Sequence, residues 1–125
     1  MTFWIFMLLF TLFIPVLMLI FGSSFIKNAP KEINYVYGYR TARSMKNRDT
    51  WEFAHKHIGR LWVVIALIML PLSVVPMLFV IGKSHDIIGT VNCAVMFLQL
   101  IPLIVPIFFT EAALKKAFDE DGNRR

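Results

Sequence analysis

Residues 3–26 contain no charged side chain at all. A helix needs roughly 20 apolar residues to cross the hydrocarbon of a bilayer, and in lipid only helices and closed barrels satisfy their own backbone. Two further apolar runs follow at 58–81 and 87–110, and neither has an Asp, Glu, Lys or Arg in its interior, Arg60 lying at the edge of the first. A chain of 125 residues has room for one domain. Its hydrophobic fraction of 58% and charged fraction of 17% depart from the roughly 45–50% and 25% of soluble domains. So short a soluble chain could not bury that much apolar surface. The expected fold is an all-α membrane protein, a single integral domain with three transmembrane helices. A loop at 27–57 joins the first two, and a tail occupies 111–125.

Nothing basic precedes Lys27, so the first run reads as a retained transmembrane helix rather than a secretory signal peptide. Trp4 and Lys27 are placed for its two interfaces, and Pro15 interrupts its middle. A membrane helix tolerates such a proline when a neighbour satisfies the freed carbonyl. Gly22, Ser23 and Ser24 are small enough for close helix contact. Pro71 and Pro76 bend the second span, Pro102 and Pro106 interrupt the third, and residues 82–86 make a tight connection between them. Asn92 and Gln99 are seven apart and share a helix face. Amides in lipid hydrogen-bond to another helix, or alternatively line a ligand path.

The one long polar stretch is 34–59. Eight of the 13 Lys and Arg residues lie between Lys27 and Arg60, opposed by Glu32, Asp49 and Glu52. Tyr35, Tyr37 and Tyr39 alternate with Val36, Gly38 and Arg40, which suits extended chain; the tyrosines are either headgroup anchors or a binding surface. Arg40, Arg43 and Lys46 recur every third residue, so one helical turn would set them on roughly one side. They read as a solvated basic face, or Arg40 is buried as a fork of donors to carbonyls or a carboxylate. Residues 49–52 have the form of a capping box, Asp49 with Glu52, which starts a helix near Asp49 and runs it into the second span. His55 and His57 are two apart, unlike the i, i+4 pair of a zinc helix. No metal site, catalytic residue or cofactor is expected, and the single Cys93 excludes an intramolecular disulfide.

Charge sets the expected orientation. The loop at 27–57 and the tail carry most of the cations, and the second connection has only Lys83. By the positive-inside rule the loop and the C-terminus are cytoplasmic and the N-terminus is outside. Cations confined to the ends of apolar runs imply contact with anionic headgroups rather than nucleic acid. The tail reads as a short amphipathic helix end and a solvated mixed-charge terminus. Coupled carriers generally place an ionisable residue in the membrane, and none is present inside these spans.

Asn34, then Gly38-Tyr39-Arg40-Thr41, Ser44, Asn47, Trp51, Ala54 and Gly59 resemble the signature of the SdpI family of bacterial membrane proteins. In that pattern a G-Y-R-T element is followed by spaced Ser, Asn and Trp and leads into a transmembrane helix. His55 stands where the pattern leads one to expect an amide. The resemblance implies a multi-pass protein of the bacterial inner membrane that gives immunity to a secreted peptide toxin. It also implies relay of the toxin's presence, by holding a transcriptional repressor at the membrane. The implied functional loop comprises Asn34, Gly38, Tyr39, Arg40, Thr41, Ser44, Asn47 and Trp51. Arg40 is then the structural or binding cation, Ser44 and Asn47 hydrogen-bonding residues, and Trp51 an interfacial anchor. The alternative is a small oligomeric carrier or scaffold for a lipid or amphipathic substrate, its path lined by Asn92 and Gln99.

Overall fold

A computed structural model describes residues 1–31 and 38–125. The expected Asn34, and the alternation at Tyr35 and Tyr37, lie outside the described residues. The chain forms three long helices, α1 (Thr2–Lys27), α2 (Arg48–Leu78) and α3 (His85–Ala117), each long and apolar enough to cross a membrane. All five prolines of the spans lie inside these helices.

The packing is the reverse of a soluble bundle. Outward faces carry Phe6, Leu9, Phe13, Leu67, Leu72, Phe97 and Phe108, all exposed, whereas Thr11, Ser73, Asn92, Gln99 and Thr110 are buried between the helices. Apolar side chains gain nothing by leaving lipid for the bundle interior, so small and hydrogen-bonding residues are left to join the helices. Three buried clusters stack along the bundle. One unites Phe25, Tyr39, Ala54, Ile58, Leu114 and Phe118. The middle one holds Met18, Ala66 and Met69, and the far one Met77, Val80 and Ile88.

Helices α1 and α2 meet backbone to backbone at Gly22 and Gly59. A Cβ on Gly22 would lie 2.8 Å from the Gly59 carbonyl oxygen, and one on Gly59 would lie 2.7 Å from that of Gly22. The expected close contact at Gly22 is therefore present, and Gly59 is its other half.

The expected neighbour for Pro15 is Gln99. Pro15 has no N–H to give the carbonyl four residues back, that of Thr11. The Gln99 amide supplies the missing donor, its Nε2 donating to Thr11 O at 2.8 Å, and it also reaches Ser73 Oγ at 2.8 Å. One side chain of α3 thereby ties α1 to α2. Asn92 donates to Met7 O at 2.8 Å and to Thr11 Oγ1 at 2.6 Å. Both expected polar residues bond across helices.

At the far end, Trp4 Nε1 donates to Met77 O at 2.7 Å and the Phe3 ring stacks on His85. Ser84 caps α3 by accepting from Ile87 N–H. The opposite end of the bundle brings together the end of α1, the polar loop, the start of α2 and the tail.

Candidate functional site: a folded loop and the groove beside it

The site begins with a glycine. Gly38 has φ +108°, in the region that side chains avoid, and a Cβ there would lie 2.6 Å from His55 Nε2 and 3.3 Å from the Trp51 ring. Only glycine lets the chain pass this closely over α2. The next N–H, that of Tyr39, donates to His55 Nε2 at 2.8 Å, so Nε2 is the bare nitrogen. Nδ1 then carries the proton and donates to Trp51 O at 2.8 Å. Neutral imidazole thus offers one donor and one acceptor, the pair that an amide side chain would bring to this place. His55 lies in the polar first turns of α2, ahead of the apolar span, and is fully buried. Burial pushes its pKa down, with Arg48 adding to the effect against the Trp51 hydrogen bond.

Trp51 is 0% exposed and donates its indole N–H to Pro30 O at 2.9 Å. This corrects its expected role as an interfacial anchor: it is a core residue, on which residues 30 and 38 rest. Helix α2 also begins differently from the expectation. Its cap is Asn47, not Asp49. Asn47 Oδ1 accepts from Thr50 N–H at 2.9 Å and Thr50 Oγ1 accepts from Asn47 N–H at 3.1 Å, a reciprocal box. Asn47 adopts extended backbone, which frees its side chain to fold over the first turn. Asp49 lies within that turn, and Glu52 pairs with Arg48 at 3.0 Å.

Between Gly38 and Asn47 the signature residues bond to one another. Ser44 is buried; its Oγ accepts from Thr41 N–H at 2.9 Å and donates towards Tyr39 O at 2.9 Å. Thr41 Oγ1 accepts from Ser44 N–H at 3.1 Å. Two hydroxyls then leave the loop for α3. Tyr39 O–H donates to Glu111 Oε2 at 2.6 Å and Thr41 O–H to the same oxygen at 2.8 Å. Burial, and then the Glu111 carboxylate beside it, push the Tyr39 pKa well above its ordinary value, which keeps the phenol a donor.

The tail closes the other side: Glu120, Asp121, Arg124 and Arg125 are exposed as expected of a mixed-charge terminus, but the segment also folds back on the loop. Phe118 and Gly122 are buried, and Asn47 Nδ2 donates to Gly122 O at 2.6 Å. Gly122 has φ +86°, and a Cβ there would lie 2.5 Å from that same nitrogen. Arg124 lies over the Phe118 ring, 4.8 Å from its centre.

Of the basic triplet, the structure separates what the spacing grouped. Arg43 and Lys46 line a crevice of about 320 Å³ opposite Asp119 and Glu120 of the tail. Arg40 edges a different groove and is exposed rather than buried. That groove measures about 380 Å³. Phe21 and Phe25 of α1, Ile58 and Trp62 of α2 and Ile107 of α3 wall it, and residues 38–41 form its rim. It is an apolar slot at the end of the bundle with a guanidinium at its mouth. Glu111, Thr50 and Gly122 are the residues that sequence reasoning missed. Glu111 had a signal, being the first charge after the uncharged run of α3. Among the described residues no group of His, Cys, Asp or Glu could hold a metal ion.

The model of the SdpI/YfhL protein family matches residues 31–110, a stretch that includes the signature, α2 and most of α3. An uncharacterized protein, YfhL of Bacillus subtilis strain 168, is 31% identical over 109 residues, covering 87% of this chain and 89% of the relative. No solved structure gives a significant match. The folded loop at residues 38–51 lies within the matched stretch, and the chain belongs to the SdpI/YfhL family.

Proposed function

We propose that this chain is a non-enzymatic protein of the bacterial inner membrane that gives resistance to a secreted antimicrobial peptide, or relays its presence, by binding it at the groove beside Arg40. The observation that carries this reading is the shape and chemistry of that groove. Five apolar side chains from three helices meet there under a rim that ends in an exposed cation. Such a slot suits an amphipathic molecule that is already partitioned into lipid, with an apolar anchor in the slot and a carboxylate or carbonyl on the guanidinium.

The rest of the signature serves this surface by holding it still. Tyr39, Thr41, Ser44 and Trp51 spend their polar groups on one another, on Pro30, on His55 and on Glu111. A rim fixed to both α2 and α3 binds with little ordering cost. Lys83 aside, every Lys and Arg lies in the loop, the start of α2 or the tail, and by the positive-inside rule that end is cytoplasmic. The groove then opens at the inner leaflet, and the exposed loop beside it is where a cytoplasmic repressor would dock.

A carrier lined by Asn92 and Gln99 has less support, because both amides are buried and bonded between helices. Survival of a sensitive bacterium under peptide challenge separates the two readings. Arg40→Ala should lose protection with membrane insertion intact, while Asn92→Ala should keep it at equal expression. Full protection by Arg40→Ala would sink the groove reading.

A further inference from the structure

One face of α2 carries charges that neither the loop nor the groove uses. Asp49, Glu52, Lys56 and Arg60 follow at steps of three or four residues and so share one stripe of the helix. With His57 and with Arg124 of the tail they line a pocket of about 210 Å³. Asp49, Lys56, Arg60 and Arg124 are exposed. The carboxylates come first along the stripe. From Glu52 to Lys56 is about one turn, or roughly 5.4 Å of rise towards the span. Glu52 bonds Arg48, but that pair is half-exposed, and exposed i, i+4 pairs are weak enough to exchange partners. His57 Nδ1 lies 2.9 Å from Thr110 Oγ1, which holds the ring in the pocket wall. Past Arg60 the surface turns apolar, with Val64, Leu67 and Ile68 exposed.

We infer that this pocket holds the headgroup of a zwitterionic aminophospholipid. Lys56, Arg60 and Arg124 take the phosphate, Glu52 and Asp49 take the ammonium, and an acyl chain follows Val64 and Leu67. The order of charges selects this ligand. A phosphoethanolamine lipid carries its phosphate next to the glycerol and its ammonium further from the hydrocarbon, which is the order of cations and carboxylates along the stripe of Asp49, Glu52, Lys56 and Arg60. An anionic lipid would use the cations and then meet two carboxylates where its headgroup ends. A quaternary ammonium has no N–H to donate to those carboxylates, so a primary amine is favoured over choline. The site is separate from the groove at Arg40, and neither reading depends on the other.

The test is lipid retention by the full chain in nanodiscs of equal parts phosphatidylethanolamine, phosphatidylglycerol and phosphatidylcholine with the same chains, read by native mass spectrometry. Wild type should retain phosphatidylethanolamine at least threefold over either competitor. Lys56→Gln with Arg60→Gln should lower its retention at least fivefold. Asp49→Asn with Glu52→Gln should erase the preference while leaving phosphatidylglycerol bound as well as before or better. Because Glu52→Gln also breaks the pair with Arg48, Asp49→Asn alone is a second variant, expected to lose part of the preference, with circular dichroism reporting the fold of each. Preference for phosphatidylglycerol in wild type would overturn the inference, as would an unchanged preference in the acidic double variant.

Discussion

Gln99→Leu is the most informative substitution within the membrane, because a second substitution should repair it. In the native protein Thr11 O has no intrahelical donor, since Pro15 stands four residues on, and Gln99 Nε2 donates to it at 2.8 Å. Leucine leaves that carbonyl buried and unpaired and also removes the bond to Ser73 Oγ. An orphaned buried acceptor costs about 1–3 kcal/mol, while side-chain hydrogen bonds within membranes have averaged about 0.6 kcal/mol with a maximum near 1.7. The variant also disposes of Gln99 Oε1, which is itself buried without a partner, so the loss should fall at about 1–2 kcal/mol. Pro15→Ala restores a backbone N–H to Thr11 O. It should therefore be more favourable in the Gln99→Leu background than in wild type by about 1 kcal/mol. The assay is reversible unfolding in mixed micelles, titrated with a denaturing detergent and followed by circular dichroism, as a double-mutant cycle. Asn92→Leu serves as the control, since Asn92 bonds Met7 O and Thr11 Oγ1 and not the freed carbonyl. Effects that add to within about 0.3 kcal/mol, in the range expected of independent sites, would refute the assignment of Gln99 to the proline's missing bond.

Other outcomes follow from the same geometry. Gly59→Ala places a methyl 2.7 Å from Gly22 O and should destabilise the α1–α2 contact by about 1–3 kcal/mol, read as a lower melting temperature in detergent. Glu111→Ala removes the acceptor of two hydroxyls and should speed hydrogen exchange at residues 39–44 while leaving the spans protected. His55 is held neutral, its pKa pushed below the usual 6.5, so the unfolded chain binds a proton more readily than the folded one. Loop stability should be full above about pH 6.5 and fall as the pH drops below it. His55→Gln, which keeps one donor and one acceptor, should flatten that dependence, measured by hydrogen exchange at Tyr39.

Much of the fold was legible because lipid imposes coarse rules. Three apolar runs and their lengths set the three helices, and Gly22, Pro15, Asn92 and Gln99 stood out as exceptions within them. Their partners could not be read, since nothing in a sequence pairs Gln99 with a carbonyl 88 positions away. The loop was harder. Asp49 and Glu52 have the spacing of a capping box, but Asn47 and Thr50 have it too, and burial of Thr50 against the Ser44 carbonyl at 3.0 Å decides between them. Trp51 reads as an interfacial residue by its place beside the span. Its burial depends on Pro30 and Gly38 folding over it. The tail looked solvated by composition because Phe118 and Gly122 are two residues among many charges.

The groove can be tested directly in living cells by placing a photo-crosslinking phenylalanine analogue at Ile107, a wall of the groove, and irradiating during challenge with the killing peptide. A cross-linked adduct with the peptide, weakened in the Arg40→Ala background and absent when the same analogue replaces the lipid-facing Phe97, is the predicted result. Adducts of equal yield from both positions, or none from Ile107 in cells that the protein protects, would contradict it.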